Sequence, residues 1–479
     1  MRLQNKMTTK KQHITNKNLS LGNDFKWTAI FFIGIGGIGM SALARYFVSI
    51  GKKVAGYDKV KTKLTDELEQ LGIQIHYKDD ISQVAKSFLD KEKTLIVYTP
   101  AIPENHTEYN YFKKNGFTIL KRAEVLGLIT KETFCFAVAG THGKTSTSSI
   151  LGHILKEANV NATSFLGGIA SNYKSNLILG GDQISVVEAD EYDRSFLQLS
   201  PNIACITSTD ADHLDIYGQA DELLNSFNDF ANIVSDKLFV KYGLNLNGIT
   251  FGFNENAAYQ AYDVHLENGV SVFDVKTPSE SIKNIHLELP GNHNILNALA
   301  ALAMANSYGV SLENIKNGLA SFKGIERRFN IKINSDKLTL IDDYAHHPTE
   351  INAVYETVNN LYPNKEKVVV FQPHLFSRTQ DFVANFAKSL AQFDKVVLLE
   401  IYPARELPIK GITSSWLAEK IKAISNVETH VVSKDIYEIV KACYSENDKV
   451  ISLLGAGDIG ALVPKITKFY NEKLTFKLQ

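Results

Sequence analysis

The stretch Phe134-Cys135-Phe136-Ala137-Val138-Ala139-Gly140-Thr141-His142-Gly143-Lys144-Thr145-Ser146-Thr147 runs an apolar, strand-sized segment directly into a turn of glycines and hydroxyls. A helix is expected immediately afterwards, over Ser148 to Leu155. Glycines let backbone amides turn inward toward an anion, the helix start adds free amides and partial positive charge, and a lysine there neutralises phosphate oxygens. The Thr145 hydroxyl is then placed to ligate magnesium. Val138 stands where the general G-x-x-x-x-G-K-[ST] loop has its first glycine, so the pattern is the shorter G-T-x-G-K-T form. A tight connection would account for a glycine-lysine turn taken alone; its neighbours favour a nucleotide site.

Two further apolar strands follow. Ile184 to Val187 ends in Glu188-Ala189-Asp190-Glu191, and Ile203 to Thr207 leads into Asp210-Ala211-Asp212-His213. Acidic loops after strands are often merely solvated, but a metal-bound nucleotide needs carboxylate ligands at such strand ends. In an open parallel sheet all three ends converge on one crevice.

Upstream, Gly34-Ile35-Gly36-Gly37-Ile38-Gly39 sits between a strand over Ala29 to Ile33 and a helix over Met40 to Ile50, and the next strand ends at Tyr57-Asp58. That spacing is a dinucleotide or nucleotide-sugar fingerprint, with a pyrophosphate at the helix start and Asp58 near a ribose or base. One chain carrying this fingerprint and a separate ATP loop fits poorly with simple hydride transfer, whereas a nucleotide-linked substrate accounts for both. Downstream, Leu289-Pro290-Gly291-Asn292-His293-Asn294-Ile295-Leu296-Asn297 precedes an alanine-rich helix running to about Ala305. Its polar side chains suit either an adenine edge or N-capping. Next come Gly324-Ile325-Glu326-Arg327-Arg328-Phe329, a strand over Leu338 to Asp342, and Asp343-Tyr344-Ala345-His346-His347-Pro348. The paired histidines have no third ligand at zinc spacing, so phosphate or substrate binding is expected of them. Strands over Val368 to Val370 and Val450 to Leu454 end in Phe371-Gln372-Pro373-His374-Leu375-Phe376-Ser377-Arg378 and Gly455-Ala456-Gly457-Asp458, with Arg378 a natural carboxylate clamp.

The strand–helix rhythm starts three times, near Trp27, Thr133 and Leu338, which predicts a three-unit α/β fold. The expected division is a disordered leader over 1–24, a Rossmann-like nucleotide-sugar unit over 25–121, a central ATP unit with a mostly parallel sheet over 122–328, and a C-terminal Rossmann-like unit over 329–479. The chain's 51 basic and 52 acidic residues give a net charge of -1, so no global field favours nucleic acid or an anionic membrane. Cys135, Cys205 and Cys443 lie in apolar segments without C-x-x-C spacing, which fits a reducing compartment. Residues 1–24 lack an apolar core of a secretory signal, and no apolar run approaches the roughly 20 residues that span a bilayer. A cytoplasmic protein of small-molecule partners is expected, as a monomer or weak homodimer.

With these segments in order, nearly the whole chain from residue 27 resembles the Mur ligase family, and most of all its alanine-adding branch. The resemblance implies ATP and Mg2+ as cofactors, and UDP-N-acetylmuramate and L-alanine as substrates. It implies an ADP-forming ligation through an acyl phosphate, in peptidoglycan precursor synthesis. Carried over, Gly34, Gly36, Gly37, Gly39, Asp58 and Thr99 would hold the UDP-sugar. Gly140, Thr141, His142, Gly143, Lys144, Thr145 and Ser146 would cradle ATP, with Lys144 on the β and γ phosphates. Thr145 and Glu188 would bind one magnesium and His213 a second. His293, Asn294 and Asn297 would face adenine; Arg328 and Asp343 would complete the ATP site. Tyr344, His346, His374 and Arg378 would form the amino-acid pocket, and Lys144, Glu188, His213, Arg328 and His374 would be the catalytic set.

Leu375 departs from the branch, many of whose members have an arginine after the histidine. No lysine occurs between His213 and Lys237, so the carbamylated lysine of several relatives is not expected. A ligase that attaches a whole tripeptide to the same UDP-sugar shares the phosphate loop and the Glu188–Asp193 string, but has a different first glycine loop. Folyl-polyglutamate synthetases share the central unit and lack the front one. A P-loop ATPase would leave both flanking units idle, and an NAD-dependent oxidoreductase would explain the front alone.

Overall fold

The computed structural model describes residues 25–210, 220–404 and 406–476; the expected leader and His213 lie outside them. Three sheets follow one another along the chain. The first holds β1 (Ala29–Ile33), β2 (Lys53–Tyr57), β3 (Gln74–His76), β4 (Thr94–Tyr98) and β5 (Thr118–Lys121). Its order is β3-β2-β1-β4-β5, all parallel, and β1 is buried on both faces, as its unbroken apolar run requires. The order reverses between β1 and β4, which opens a crevice beyond their carboxyl ends.

The second sheet holds β6 (Phe134–Ala139), β7 (Ala162–Ala170), β8 (Ser175–Ile178), β9 (Ile184–Glu188), β10 (Ile203–Ile206), β11 (Lys237–Lys241), β12 (Ile249–Gly252), β13 (Tyr259–Glu267), β14 (Val270–Lys276) and β15 (Ser281–Leu287). In its order, β15-β14-β13-β12-β11-β10-β6-β9-β7-β8, the strand feeding the phosphate loop lies between β9 and β10 and parallel to both. The sheet is not parallel throughout: β8 and the β13–β15 meander pair antiparallel. The third sheet holds β16 (Asn330–Asn334), β17 (Leu338–Asp343), β18 (Glu366–Phe371), β19 (Lys395–Leu398), β20 (Glu428–Val431) and β21 (Lys449–Leu454), in the order β16-β17-β21-β18-β19-β20, with only β16 antiparallel.

Two helices begin earlier than expected. The one after the phosphate loop spans Lys144–Glu157, so Lys144 and Thr145 sit on its first turn, after Gly143 at φ 86°. The alanine-rich helix spans Asn292–Tyr308 from Gly291 at φ 100°, which puts His293, Asn294 and Asn297 on the helix itself; no side chain caps it. Small side chains let it lie close against Lys144–Glu157, with Ala298, Ala301, Ile150 and Ile154 fully buried between them.

The helix Ile38–Ser49 joins the first two units. It packs on the first sheet and on β7 and β8 of the second, where the Tyr46 and Phe165 rings are 5.2 Å apart. Asn176 on β8 donates to the Ser41 hydroxyl at 2.8 Å, so one continuous core serves both units. Phe47 is fully buried there, beside Phe25, Phe32 and Tyr46. Phe47→Ala is expected to cost about 3–5 kcal/mol, measured by urea unfolding; a loss under about 1 kcal/mol would contradict this shared core.

Candidate active site

The phosphate loop turns sharply because its glycines cannot be replaced. Gly140 has φ 128°, and a Cβ there would lie 2.2 Å from the Thr207 hydroxyl; a Cβ on Gly143 would lie 2.4 Å from Asn297 Oδ1. Lys144 folds back over this loop. Its Nζ donates to the Gly140 carbonyl at 2.6 Å and to both oxygens of the fully buried Glu191, at 2.7 and 2.9 Å. Burial works to lower the Lys144 pKa, but the Glu191 and Asp190 carboxylates outweigh it, so its pKa is raised and the ammonium stays charged.

At the end of β9, Glu188 accepts from Thr145 Oγ1 at 3.1 Å, Ser148 Oγ at 3.2 Å and the Gly167 amide. Burial pushes its carboxyl up despite these donors. A half-buried carboxylate beside a threonine hydroxyl is a donor set that suits a hard cation such as magnesium. Among the described residues no cluster of three or more His, Cys, Asp or Glu side chains is arranged to hold a metal. The end of β10 is stitched to the same loop: the His142 amide donates to Ser208 Oγ at 2.8 Å, and the Asp210 amide to Thr141 Oγ1 at 3.1 Å.

On one side of the loop lies a cavity of about 160 Å³. His142, Gly143 and Ser146 of the loop line it, as do His293, Asn294 and Asn297 of the alanine-rich helix. Arg328, at the junction with the third unit, and Asp343 of that unit close it. Burial and the Arg328 charge push His293 down to about 4. Burial pushes Asp343 up to about 6, although its oxygens accept from the amides of Phe329 at 2.6 Å and Ala345 at 2.7 Å and Arg328 stands near.

On the other side is a cleft of about 670 Å³ between all three units. Gly37, Gly39 and Thr99 enter it from the first unit, Lys144, Thr145 and Glu188 from the second, Tyr344 and His346 from the third, and Arg328 from the junction between the last two. Gly34, Gly36 and Asp58 shape the first glycine loop rather than the cleft wall. Gly34 turns at φ 88° against Thr99, and Asp58 accepts from the Gly36 amide at 2.7 Å and the Val60 amide at 3.2 Å.

Three family descriptions match in chain order: the Mur ligase family catalytic domain over residues 29–133, the Mur ligase middle domain over 138–305, and the Mur ligase glutamate ligase domain over 327–457. The UDP-N-acetylmuramate--L-alanine ligase of Christiangramia forsetii is 56% identical over 442 residues, covering 91% of this chain and 96% of its own. That of Flavobacterium psychrophilum is 56% identical over 446 residues, covering 93% and 98%. The chain belongs to the Mur ligase family. Its fold is the three-domain α/β fold of that family. The crystal structure of the UDP-N-acetylmuramate-alanine ligase MurC from Thermotoga maritima superposes with a TM-score of 0.78 at 29% identity, over 93% of this chain and 99% of that one.

In this Mur ligase the residues carried over to an amino-acid pocket fall in two places. Tyr344 and His346 line the cleft, with ring centroids 5.3 Å apart, and His374 stands 5.8 Å beyond His346. Neither His374 nor Arg378 lines the cleft; Arg378 is 5% exposed and donates to His374 Nδ1 at 3.4 Å. Leu375, at φ 71°, caps the helix Phe376–Asp381 and is buried. His347 caps the helix Pro348–Leu361, its ring 4.8 Å from that of His142.

Three residues of the site fall outside the set carried over from the resemblance. Arg122 lines the cleft beside Gly39 and lies 3.6 Å from Asp190; Glu191 pairs with Lys144; Glu350 lines both cavities. The acidic string after β9 was the available signal for Glu191. Arg122 and Glu350 stand at helix starts, where a charged residue is ordinary.

The His293 shift has a measurable sign. Its folded pKa lies below the ordinary 6.5, so the unfolded chain takes up a proton that the folded chain refuses as pH falls toward 4. Its cost to stability is absent above pH 6.5 and grows as pH drops; Asp343, raised, acts oppositely but is common to parent and variant. His293→Gln is expected to melt progressively higher relative to the parent as pH falls from 7 to about 4. A melting difference independent of pH would contradict the assignment.

Proposed function

We propose that this chain joins L-alanine to the carboxylate of UDP-N-acetylmuramate in the cytoplasm, cleaving ATP to ADP, with its units dividing near residues 122 and 329. One observation carries the reading. Lys144, on the helix that follows β6, and Glu188, at the end of the adjacent β9, line a cleft that continues to the first glycine loop, and His142 and Gly143 beside them also line a nucleoside-sized cavity. The names of the relatives that match over nine-tenths of the chain agree with it.

ATP would lie with its base against His293, Asn294 and Asn297 and its phosphates over the amides of Gly140 to Ser146. Lys144 exchanges Glu191 for phosphate oxygens, and Arg328 meets the γ-phosphate from the junction with the third unit. The UDP moiety would enter at Gly37, Gly39 and Thr99, which brings the muramyl carboxylate toward Lys144. Attack of that carboxylate on the γ-phosphate gives an acyl phosphate and ADP; attack by the alanine amine then passes through a tetrahedral intermediate and expels phosphate. Thr145 and Glu188, with His213, are the residues that would hold magnesium, which supplies charge neutralisation where two anions meet. No protein nucleophile is needed, because the mixed anhydride carries the energy and the protein positions the reactants. Tyr344 and His346, supported by His374 and Arg378, would orient the amino acid.

ADP release is expected only when UDP-N-acetylmuramate and an amino acid are both present, and to be fastest with L-alanine in a panel including glycine, L-serine and the tripeptide. Preference for the tripeptide would replace this reading with the recycling reaction. Lys144→Ala is expected to lower ADP release by a factor on the order of 10²–10³ or more. Because the single change strands Glu191 in the interior, Lys144→Ala with Glu191→Ala is the control, equally inactive but nearer the parent in melting temperature. ADP release at the parent rate in either variant would sink the assignment.

A further inference from the structure

Glu350 divides its carboxylate between two sites. It is the third residue of the helix Pro348–Leu361, and Oε2 accepts from the amides of His346 at 2.9 Å and His347 at 3.2 Å, and lies 3.2 Å from His346 Nδ1. A capping box accounts for that oxygen. It does not account for Oε1, which points across the unit boundary to His142 Nδ1 of the phosphate loop at 3.4 Å and to Arg328 Nη1 at 3.8 Å. Glu350, His142 and Arg328 each line both the nucleoside cavity and the three-unit cleft, so this carboxylate stands on the partition between them. Burial works to raise its pKa, and the facing His346 and His142 outweigh it, so the carboxyl is held well below the ordinary range and stays ionised.

We propose that Glu350 is a positioning residue that couples the nucleotide site to the amino-acid site, Oε1 sensing the phosphate loop through His142 and Oε2 setting the orientation of His346. The inference rests on the reading that the smaller cavity takes ATP and that His346 faces the amino acid. A triphosphate arriving beside His142 and Arg328 competes with Oε1 for the same two partners, the imidazole of one and the guanidinium of the other. The carboxylate then turns or gives up a contact, and Oε2, joined to Oε1 through one carbon, carries that change to His346, whose Nδ1 it shares with the Tyr344 carbonyl at 3.0 Å. Occupancy of one site therefore alters the affinity of the other, and linkage makes the effect reciprocal.

The test uses the full chain with UDP-N-acetylmuramate present and the non-hydrolysable β,γ-methylene analogue of ATP as probe. Its Kd is measured by calorimetry with and without saturating L-alanine. In the parent, L-alanine is expected to change the analogue's Kd by about fivefold or more. Glu350→Gln keeps an oxygen for the capping amides and loses the charge; Glu350→Asp keeps the charge and cannot span both partners. Both are expected to bring the factor close to one, and Glu350→Gln, which removes the competing charge, is also expected to tighten the analogue's Kd measured without L-alanine. If the parent shows no such factor, or both variants keep it, including a case where they merely melt lower, the coupling role is overturned. Absence of ADP release by the parent with UDP-N-acetylmuramate, L-alanine and ATP would instead sink the ligase reading, and this inference with it.

Discussion

An ammonium group drawn back into a protein wall costs free energy unless a counter-charge and further hydrogen bonds meet it, and Lys144, with 16% of its side chain exposed, is such a group. Glu191 supplies the charge and the Gly140 carbonyl another acceptor. That pairing is possible only because β9 lies directly beside β6. The Ala189 amide extends the ladder by donating to the Val138 carbonyl at 2.8 Å, which carries the chain past the strand end and back under the loop. Strand order in the second sheet is therefore what permits a charged phosphate loop. The same order delivers Glu188 to Thr145 and the Asp210 amide to Thr141.

The third unit is attached to this centre by a stitched connection. The Ser171 amide donates to Gly324 and the Glu326 amide to the Ile169 carbonyl, both at 2.9 Å, so the segment first extends the edge of β7. Arg327 and Phe329 then take positive φ, 62° and 46°, conformations that side chains rarely adopt without compensation. The compensation is local: Asp343 receives the Phe329 amide, the Tyr344 amide donates to the Arg327 carbonyl at 2.7 Å, and both Arg327 and Arg328 lie over the Tyr344 ring. Strain at this turn aims Arg328 at both cavities, which an extended linker would not do.

Much of this was legible in the residues. Apolar runs such as Ala29–Ile33 and Phe134–Ala139 match strands residue for residue, because strands buried on both faces leave no alternation to misread. Helix starts were less legible: Lys144 and Asn292 open helices behind glycines at positive φ, with no side-chain cap to announce them. The β13–β15 meander escaped notice because its strands are short of apolar residues on their outer face and carry irregular register. Of the site, the glycine loops and Glu188 declared themselves by motif. Arg122, Glu191 and Glu350 did not, since what makes each matter is a partner more than forty residues away, and one sequence carries no sign of such pairings.

Three ion pairs around the cleft share a logic. Lys144 rests on Glu191, Arg122 faces Asp190, and Arg328 faces Glu350, so each cation lining the cleft already has a protein carboxylate near it. A site for two multiply charged anions would otherwise be a concentrated positive patch, repelling itself and attracting any polyanion. Parking each cation on an internal carboxylate removes the self-repulsion and turns binding into exchange: a phosphate or sugar diphosphate must displace a tethered anion to gain its partner. Exchange of this kind favours ligands that present several anionic oxygens at once in the right geometry, because a single small anion gains too little to displace a carboxylate held at high local concentration. It also reconciles a chain of net charge -1 with substrates as anionic as ATP and a UDP-sugar acid. The attraction those substrates need is stored locally, in ion pairs that open only to a competent ligand.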